Sequence, residues 1–273
     1  MMTASREGGK RPVDTAGSTV ADTVGDEPRR VSAFGLEALP GSAELGTSEY
    51  IHRQILDAVL SQRLRPGARL TELALADIFS IGRSTVRDVL QRLALEGVVD
   101  VRANRGATVS EPPPDEVHSL FEARRLIECD LVSRAAAAVG TGELEAAAVE
   151  SLLELTRSES GHLAAGRRGA ALRIACEFHV ELARFGGVPP LLDALERQVI
   201  RTALAIGLYE RPAHGFDAAL SRQELVRPVA SGDPRAARRA MRTHLDALER
   251  SLDPESPGLG GDLGAAFRHL TPR

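Results

Sequence analysis

The stretch from Thr71 to Val109 reads TELALADIFSIGRSTVRDVLQRLALEGVVDVRANRGATV. It holds two short helical patterns, a tight break between them, and a strand–turn–strand signal after them. Thr71 is an N-cap for a helix over Glu72–Phe79, because its hydroxyl can satisfy an orphan amide of the first turn. In the second pattern Val86, Val89, Leu90 and Leu93 share one face, while Arg83, Arg87 and Gln91 fall on the other at i, i+4 and i+8. Gly97 closes that helix. Residues 98–102 and 107–109 are β-prone, with 103–106 as the turn between them. Helix, turn, helix and β-wing in that order make a winged helix-turn-helix, a shape that sets one helix in the DNA major groove. The stretch therefore points to a DNA reader rather than an enzyme.

Working outward, Tyr50, Ile51, Ile55, Val59 and Leu60 form an apolar stripe at helical spacing, and Pro66-Gly67 is expected to end that helix as a turn. Residues 1–47 are rich in Gly, Ser, Thr, Pro and charge without any period and are expected to be a disordered tail. The winged domain is expected over 48–111, and the prolines at 112–114 read as a stiff linker. Only helical patterns follow, over about 115–138, 142–160, 167–185, 189–209, 216–230 and 234–252. Glycines and prolines separate them, so 115–252 is expected to be an all-α bundle of about six helices. Pro228 is expected to kink or shorten the fifth. Residues 253–273 are expected to be a loose tail with at most a short helix over 264–270. The fold class is thus mainly α: an N-terminal winged helix-turn-helix and an all-α helical-bundle sensor domain.

The chain has 273 residues, a net charge of −4 and a pI near 6.0. A sequence-specific reader needs only a local basic face, so the acidic balance does not exclude DNA. Aromatics are 3% and Trp is absent, which argues against base stacking on single strands. Cys129 and Cys176 sit in apolar patterns without a CxxC and read as buried reduced thiols. No apolar run approaches the ~20 residues of a membrane span and the N-terminus has no signal-peptide core, so a cytoplasmic protein without membrane partners is expected.

These residues resemble the GntR family of bacterial transcription regulators in its FCD subclass, which carries an all-helical ligand-sensing C-terminal domain. The resemblance covers residues 48–252. It rests on Pro66-Gly67, Leu70-x-Glu72 and Leu75-Ala76, then Arg83-x-x-Val86-Arg87-x-x-Leu90-x-x-Leu93-x-x-x-Gly97, and the wing Asn104-Arg105-Gly106-Ala107-x-Val109. Arg124-x-x-x-Glu128, Phe178-His179, Gly232-Asp233 and Met241-x-x-His244 carry it through the second domain. It implies DNA contacts by Arg83, Ser84, Thr85 and Arg87 from the recognition helix, and by Arg105 and Gly106 at the wing tip. An arginine there can clamp a guanine bidentately; the bland alternative is solvated helix charge. Two departures lie in the turn. Ser80 stands where the family has a glycine, at a cost of up to about 1 kcal/mol, and Gly82 replaces a serine cap at a cost of a few tenths. Leu73 replaces a DNA-contacting arginine of some relatives.

Many FCD domains bind a divalent metal through an Asp four residues before a His and two later histidines. His179 and His244 match two of those positions, but Ala175 takes the Asp place and Arg222 the remaining His place. No cofactor is therefore assigned, and a metal on His179 and His244 alone is disfavoured. Cys176, three residues before His179, is a weaker substitute ligand. Helical spacing turns Leu172, Ala175, Cys176, His179 and Leu182 to one side, Met241, His244, Leu245 and Leu248 to another, and Ala219, Arg222, Val226 and Val229 to a third. An inward arginine needs a partner. Arg222 is expected to clamp an effector carboxylate through its planar fork, with Arg124 either a second anion contact or the partner of Glu128 at i+4.

The expected function is a ligand-responsive transcriptional repressor or activator, a homodimer on an inverted-repeat operator. The effector class implied by the resemblance is small organic acids, sugar acids or amino acids, bound through Arg124, His179, Arg222 and His244. The alternatives are a constitutive DNA-bound regulator with a vestigial pocket and, more remotely, an enzyme using His179 and His244. The sequence contains no nucleophile elbow, HExxH or phosphate loop to support the last.

Overall fold

The computed structural model describes residues 46–102, 106–210 and 217–255. Expectations for residues 1–45, 103–105, 211–216 and 256–273, the N-terminal tail and the 264–270 helix among them, fall outside these.

Helix α1 (Thr47–Leu60) buries Ile51, Ile55, Val59 and Leu60, with Tyr50 half-buried beside them. The helix ends well before Pro66-Gly67. The chain leaves it through Ser61 and through Gln62, which takes a left-handed conformation at φ 58°. Pro66-Gly67 instead opens the sheet: the Gly67 amide donates to the Val109 carbonyl at 2.9 Å. Strand β1 (Arg69–Leu70) follows, a two-residue element too short for any alternation to signal. Then come α2 (Glu72–Phe79), α3 (Arg83–Leu95), β2 (Val99–Arg102) and β3 (Gly106–Val109). The sheet order is β1-β3-β2, antiparallel throughout, with Arg69 opposite Thr108 and Val99 opposite Val109. The winged helix-turn-helix is therefore present, with one strand more than the sequence pattern indicates.

Pro113 is the N-cap and Pro114 the first residue of α4 (Pro114–Thr141), so the proline run starts a helix instead of forming a separate linker. Proline suits that position because its missing amide would have no helical partner. Tyr209 donates its hydroxyl to the Pro112 carbonyl at 2.8 Å. The bundle continues with α5 (Ala146–Ala164), α6 (Arg168–Arg184), α7 (Pro189–Tyr209), α8 (Ala218–Ala230) and α9 (Pro234–Arg250). Asp217 and Asp233 cap α8 and α9 by accepting from Leu220 and Ala236 amides. Pro228 is accommodated in the last turn of α8, which runs on to Ala230. Past α9 the chain stays anchored, for the Asp253 amide donates to the Tyr209 carbonyl at 2.8 Å.

Two apolar cores organise the described residues. One gathers α4, α5, α6, α8, α9 and the end of α7 around Phe121, Phe178, Leu152 and Leu245. The other begins in the winged domain and continues into the bundle through Leu131, Val180, Val199 and Leu204. The reader is thus packed on α6 and α7 by a shared core. At this junction Gly169 lies against the Ser61 carbonyl so closely that a Cβ would overlap it, and Gly207 meets the Gln62 side chain. Arg201 on α7 adds a polar tie, donating to both Glu116 oxygens at 2.6 Å and to the Gly97 carbonyl at 3.4 Å.

Candidate functional site

The first site is the outer face of α2 and α3. Thr71 accepts from the Ala74 amide at 3.2 Å, capping α2 as its sequence position requires. Ser80 sits at φ 54° and ψ 48°, so the turn does place a non-glycine residue in the left-handed region. Gly82 is the α3 N-cap without a side-chain hydrogen bond, leaving amides of the first turn directed at solvent. Val86, Val89, Leu90 and Leu93 anchor α3 in the core. That turns Arg83, Ser84 and Arg87 outward as exposed residues, with Thr85 half-buried. Arg87 donates to both oxygens of Glu72, at 3.0 and 2.8 Å. These bonds hold the Glu72 carboxyl below its ordinary range and raise Arg87. Nε and Nη2 are spent on Glu72, so the Nη1 edge of Arg87 is the one available to another partner. Gly106, read as a wing-tip contact, has an internal reason to be glycine. At φ 76° a Cβ would come within 2.7 Å of the Leu70 carbonyl. Arg105 lies outside the described residues.

The second site is a cavity of about 1000 Å³ reached by Arg124, His179, Arg222 and Glu159. All four side chains are at least 96% buried. Glu128 joins two of them. Its Oε1 accepts from Arg124 Nε at 2.6 Å and its Oε2 from His179 Nδ1 at 2.6 Å. Burial alone would raise the Glu128 carboxyl, but the Arg124 guanidinium and His179 outweigh it and hold the group at about 2. Burial lowers His179 to about 4 against the pull of Glu128, with Arg124 adding to the lowering. His179 is therefore neutral at pH 7. With its one proton on Nδ1 facing Glu128, Nε2 presents a lone pair. Nε2 of His179 and Nη2 of Arg124 are both buried and have no protein partner. Both atoms belong to residues that line the cavity, one a cationic donor and the other a neutral acceptor.

Arg222 also lines the cavity, and His244 is buried beside it. Arg222 donates from Nε to Glu159 at 2.9 Å and from Nη2 to the other Glu159 oxygen. Its Nη1 lies 3.5 Å from His244 Nε2, while His244 Nδ1 bonds Ser221 Oγ at 2.9 Å. Burial, then the nearby Arg222 charge, keep His244 well below the ordinary histidine range. The bundle does turn the four sequence-singled residues inward and bring them together. The expected carboxylate clamp must be corrected, however. The Arg222 fork is filled by Glu159, and the open guanidinium edge belongs to Arg124. Glu159 is the residue of this cluster that sequence reasoning missed. Its spacing from Leu152 and Leu155, i, i+3 and i+7, places it on the buried face of α5.

The residues present do not fit a divalent ion. The rings of His179 and His244 lie 5.2 Å apart, centroid to centroid, but the Arg222 guanidinium is directed at His244 Nε2. That puts a fixed positive charge where a second ligand would meet the cation. Ala175 offers no donor. Cys176 is buried and its thiol is pushed up to about 12 by that burial, so no thiolate is available as a ligand. Among the described residues no group of three or more His, Cys, Asp or Glu side chains is arranged to hold a metal. No helix of the described residues is long and apolar enough to cross a membrane.

The two domains find counterparts in known proteins. Residues 47–109 match the family model for bacterial regulatory proteins of the gntR family, and residues 119–247 match the FCD domain. An HTH-type transcriptional regulator in an unstable DNA locus of Streptomyces ambofaciens is 32% identical over 206 residues, covering 72% of this chain and 81% of that protein. The HTH-type transcriptional repressor NanR of Enterobacter sp. (strain 638) is 24% identical, covering 87% of this chain and 94% of its own. The crystal structure of a GntR regulator from Rhodococcus sp. RHA1 superposes with a TM-score of 0.63 at 23% identity, over 74% of this chain and 95% of that one, and so shares the fold. The chain therefore belongs to the gntR family of bacterial regulatory proteins, in the subclass with an FCD domain, and is a DNA-binding transcriptional regulator rather than an enzyme.

Proposed function

We propose that the protein is a ligand-responsive regulator that binds an inverted-repeat operator as a homodimer in the cytoplasm. One subunit would read each half-site. The observation that carries the reading is the outer face of α3, where Arg83, Ser84 and Arg87 stand exposed at the start of a core-anchored helix. Arg83 and the free edge of Arg87 contact base edges, Ser84 and Thr85 contact phosphate or base edges, and Arg105 with Gly106 approaches the minor groove. Repression is the favoured sign because NanR, a relative of similar length, is named a repressor. Footprinting of purified protein on genomic DNA from its source tests this. A short protected inverted repeat is the expected result, and no fragment outcompeting random DNA at low salt overturns it.

The cavity is the effector site. Two buried polar atoms without partners, Arg124 Nη2 and His179 Nε2, argue against a vestigial pocket, because leaving them unsatisfied costs about 1–3 kcal/mol each. A carboxylate satisfies the guanidinium, and an adjacent O–H satisfies the imidazole lone pair. The effector is therefore a 2-hydroxy acid or a sugar acid. The ligand is released or bound in linkage with DNA, by differential affinity for two orientations of the reader. Titration with lactate, 2-hydroxybutyrate and malate against propionate, butyrate and succinate tests this pairing. Hydroxy acids should bind at least about tenfold tighter, since a site built for a hydroxyl leaves a polar group unpaired with the plain acid. Equal affinities would refute the assignment.

A further inference from the structure

Arg124 Nη2 and His179 Nε2 can hold only the head of an acid, yet the cavity their residues line measures about 1000 Å³. The rest of its charged lining is already spent. Arg63 is paired with Asp57, Arg168 with Glu210 at 2.8 Å and Arg222 with Glu159, while Arg167 donates to His162 at 3.0 Å. Arg65 has an interaction of its own as well. With these charges met inside the protein, the lining left for the body of a ligand is apolar. It forms two rows. On α6, Leu172, Ala175 and Cys176 lie at helical spacing before His179 and share its face. On α7, Val199, Ala203 and Ile206 recur at i, i+4 and i+7, and all three line the cavity. The two helices are antiparallel: residues 185–188 join them at one end, and the Arg168–Glu210 pair ties them at the other. Cys176 is thereby level with Val199, Leu172 with Ala203, and Gly169 with Ile206. Burial grades along both rows, from His179 and Val199, which are buried, to Arg168 and Glu210, which are exposed. The cavity therefore opens beside Arg168 and Glu210, with His179 at its buried end. From His179 to Gly169 is about 15 Å of helix.

We infer that the effector is an amphiphile, a 2-hydroxy acid with an aliphatic tail that lies along the apolar rows of α6 and α7. This rests on the reading of the cavity as the effector site. The carboxylate meets Arg124 Nη2 and the hydroxyl meets His179 Nε2. The tail then passes Cys176 and Val199, and next Leu172 and Ala203, on its way towards the open end. Carbon–carbon bonds of about 1.5 Å at about 111° advance a chain by about 1.25 Å per carbon, so a tail of roughly six to ten carbons fits the rows. A short hydroxy acid satisfies the head and leaves the rows uncovered.

The test uses the full chain and the series 2-hydroxybutyrate, 2-hydroxyhexanoate, 2-hydroxyoctanoate and 2-hydroxydecanoate, each below the concentration at which it self-associates. Affinity is read by calorimetry. It should rise about three- to fourfold per added methylene, the effect of burying that group, so that 2-hydroxydecanoate binds at least about 100-fold tighter than 2-hydroxybutyrate. Two variants locate the tail. Ala203→Leu fills the space opposite Leu172, and Leu172→Asn makes the facing row polar. Each should cut the long-chain advantage by about tenfold or more. The affinity for 2-hydroxybutyrate should stay within about twofold of the wild type in both, showing that the head site remains folded. An affinity that is flat or falls from 2-hydroxybutyrate to 2-hydroxydecanoate overturns the tail while sparing the head site. A rise that both variants leave intact overturns it too, because the chain is then buried elsewhere. If no acid in the series binds, the effector-site reading itself falls.

Discussion

Acidification should unfold this protein at the cavity before carboxylate protonation becomes important. His179 takes up a proton at about 4 in the fold, against 6.5 when exposed. Between those values the unfolded chain binds a proton that the folded chain refuses, so stability falls as pH falls from 6.5 towards 4 and then levels. Integrating from pH 7 to pH 5 gives a loss of about 2 kcal/mol from this one ring. His244 is shifted the same way and adds to the loss. Glu128 acts lower: its depressed value contributes stability above 4.5 that is lost as pH falls towards 2. The assay is urea unfolding at pH 7 and pH 5 for the wild type and for His179→Gln, whose amide can still donate to Glu128 but does not titrate. The wild type should lose about 2 kcal/mol more than the variant over that interval. Equal losses in the two proteins would show that His179 is not a buried neutral ring, and the donor-and-acceptor pair would fall with it.

Other outcomes follow from the same geometry. Arg83→Ala and Arg87→Ala should each weaken operator binding by about 10- to 100-fold, measured by anisotropy, with far smaller losses on random DNA. Ser80→Gly should raise unfolding stability by about 0.5–1 kcal/mol, because the left-handed residue costs about 1–2 kcal/mol and the extra freedom of glycine in the unfolded chain returns part of it; a drop in the urea midpoint would contradict the turn strain. Glu159→Gln should destabilise by about 3–5 kcal/mol by leaving the Arg222 charge unpaired in the interior, whereas Glu159→Leu with Arg222→Leu should recover most of that loss.

Much of the architecture was legible because the chain is punctuated by residues with strict backbone needs. Pro189, Pro234 and Gly97 mark helix ends that the structure places within a residue or two of expectation. The α3 surface was readable because periodicity alone separates Val86, Val89 and Leu93 from Arg83 and Arg87. Strand β1 was not, since two residues cannot show alternation and its pairing with β3 is set by distant chain. The two histidines and Arg222 were placed inward by helical period, and Arg124 was offered as the partner of Glu128 by i+4 spacing. Which carboxylate meets Arg222 depends on how α5 lies against α8, a matter of tertiary packing that no local pattern encodes. The same holds for the corner over residues 61–65. Nothing in Gln62 or Gly207 signals that they meet, because each looks like ordinary loop or helix chemistry until the two domains are assembled.

The fit of the Ser61 carbonyl over Gly169, and of Gln62 against Gly207, limits how such regulators can be recombined. A chimera that joins this bundle to the reader of a relative inherits a socket cut for one particular corner. Any side chain larger than glycine at 169 would pry the two halves apart. Grafting a new DNA specificity therefore succeeds by transplanting α2, α3 and the wing alone, with residues 61–65 left in place, so that the seam and the reading surface are exchanged as independent parts.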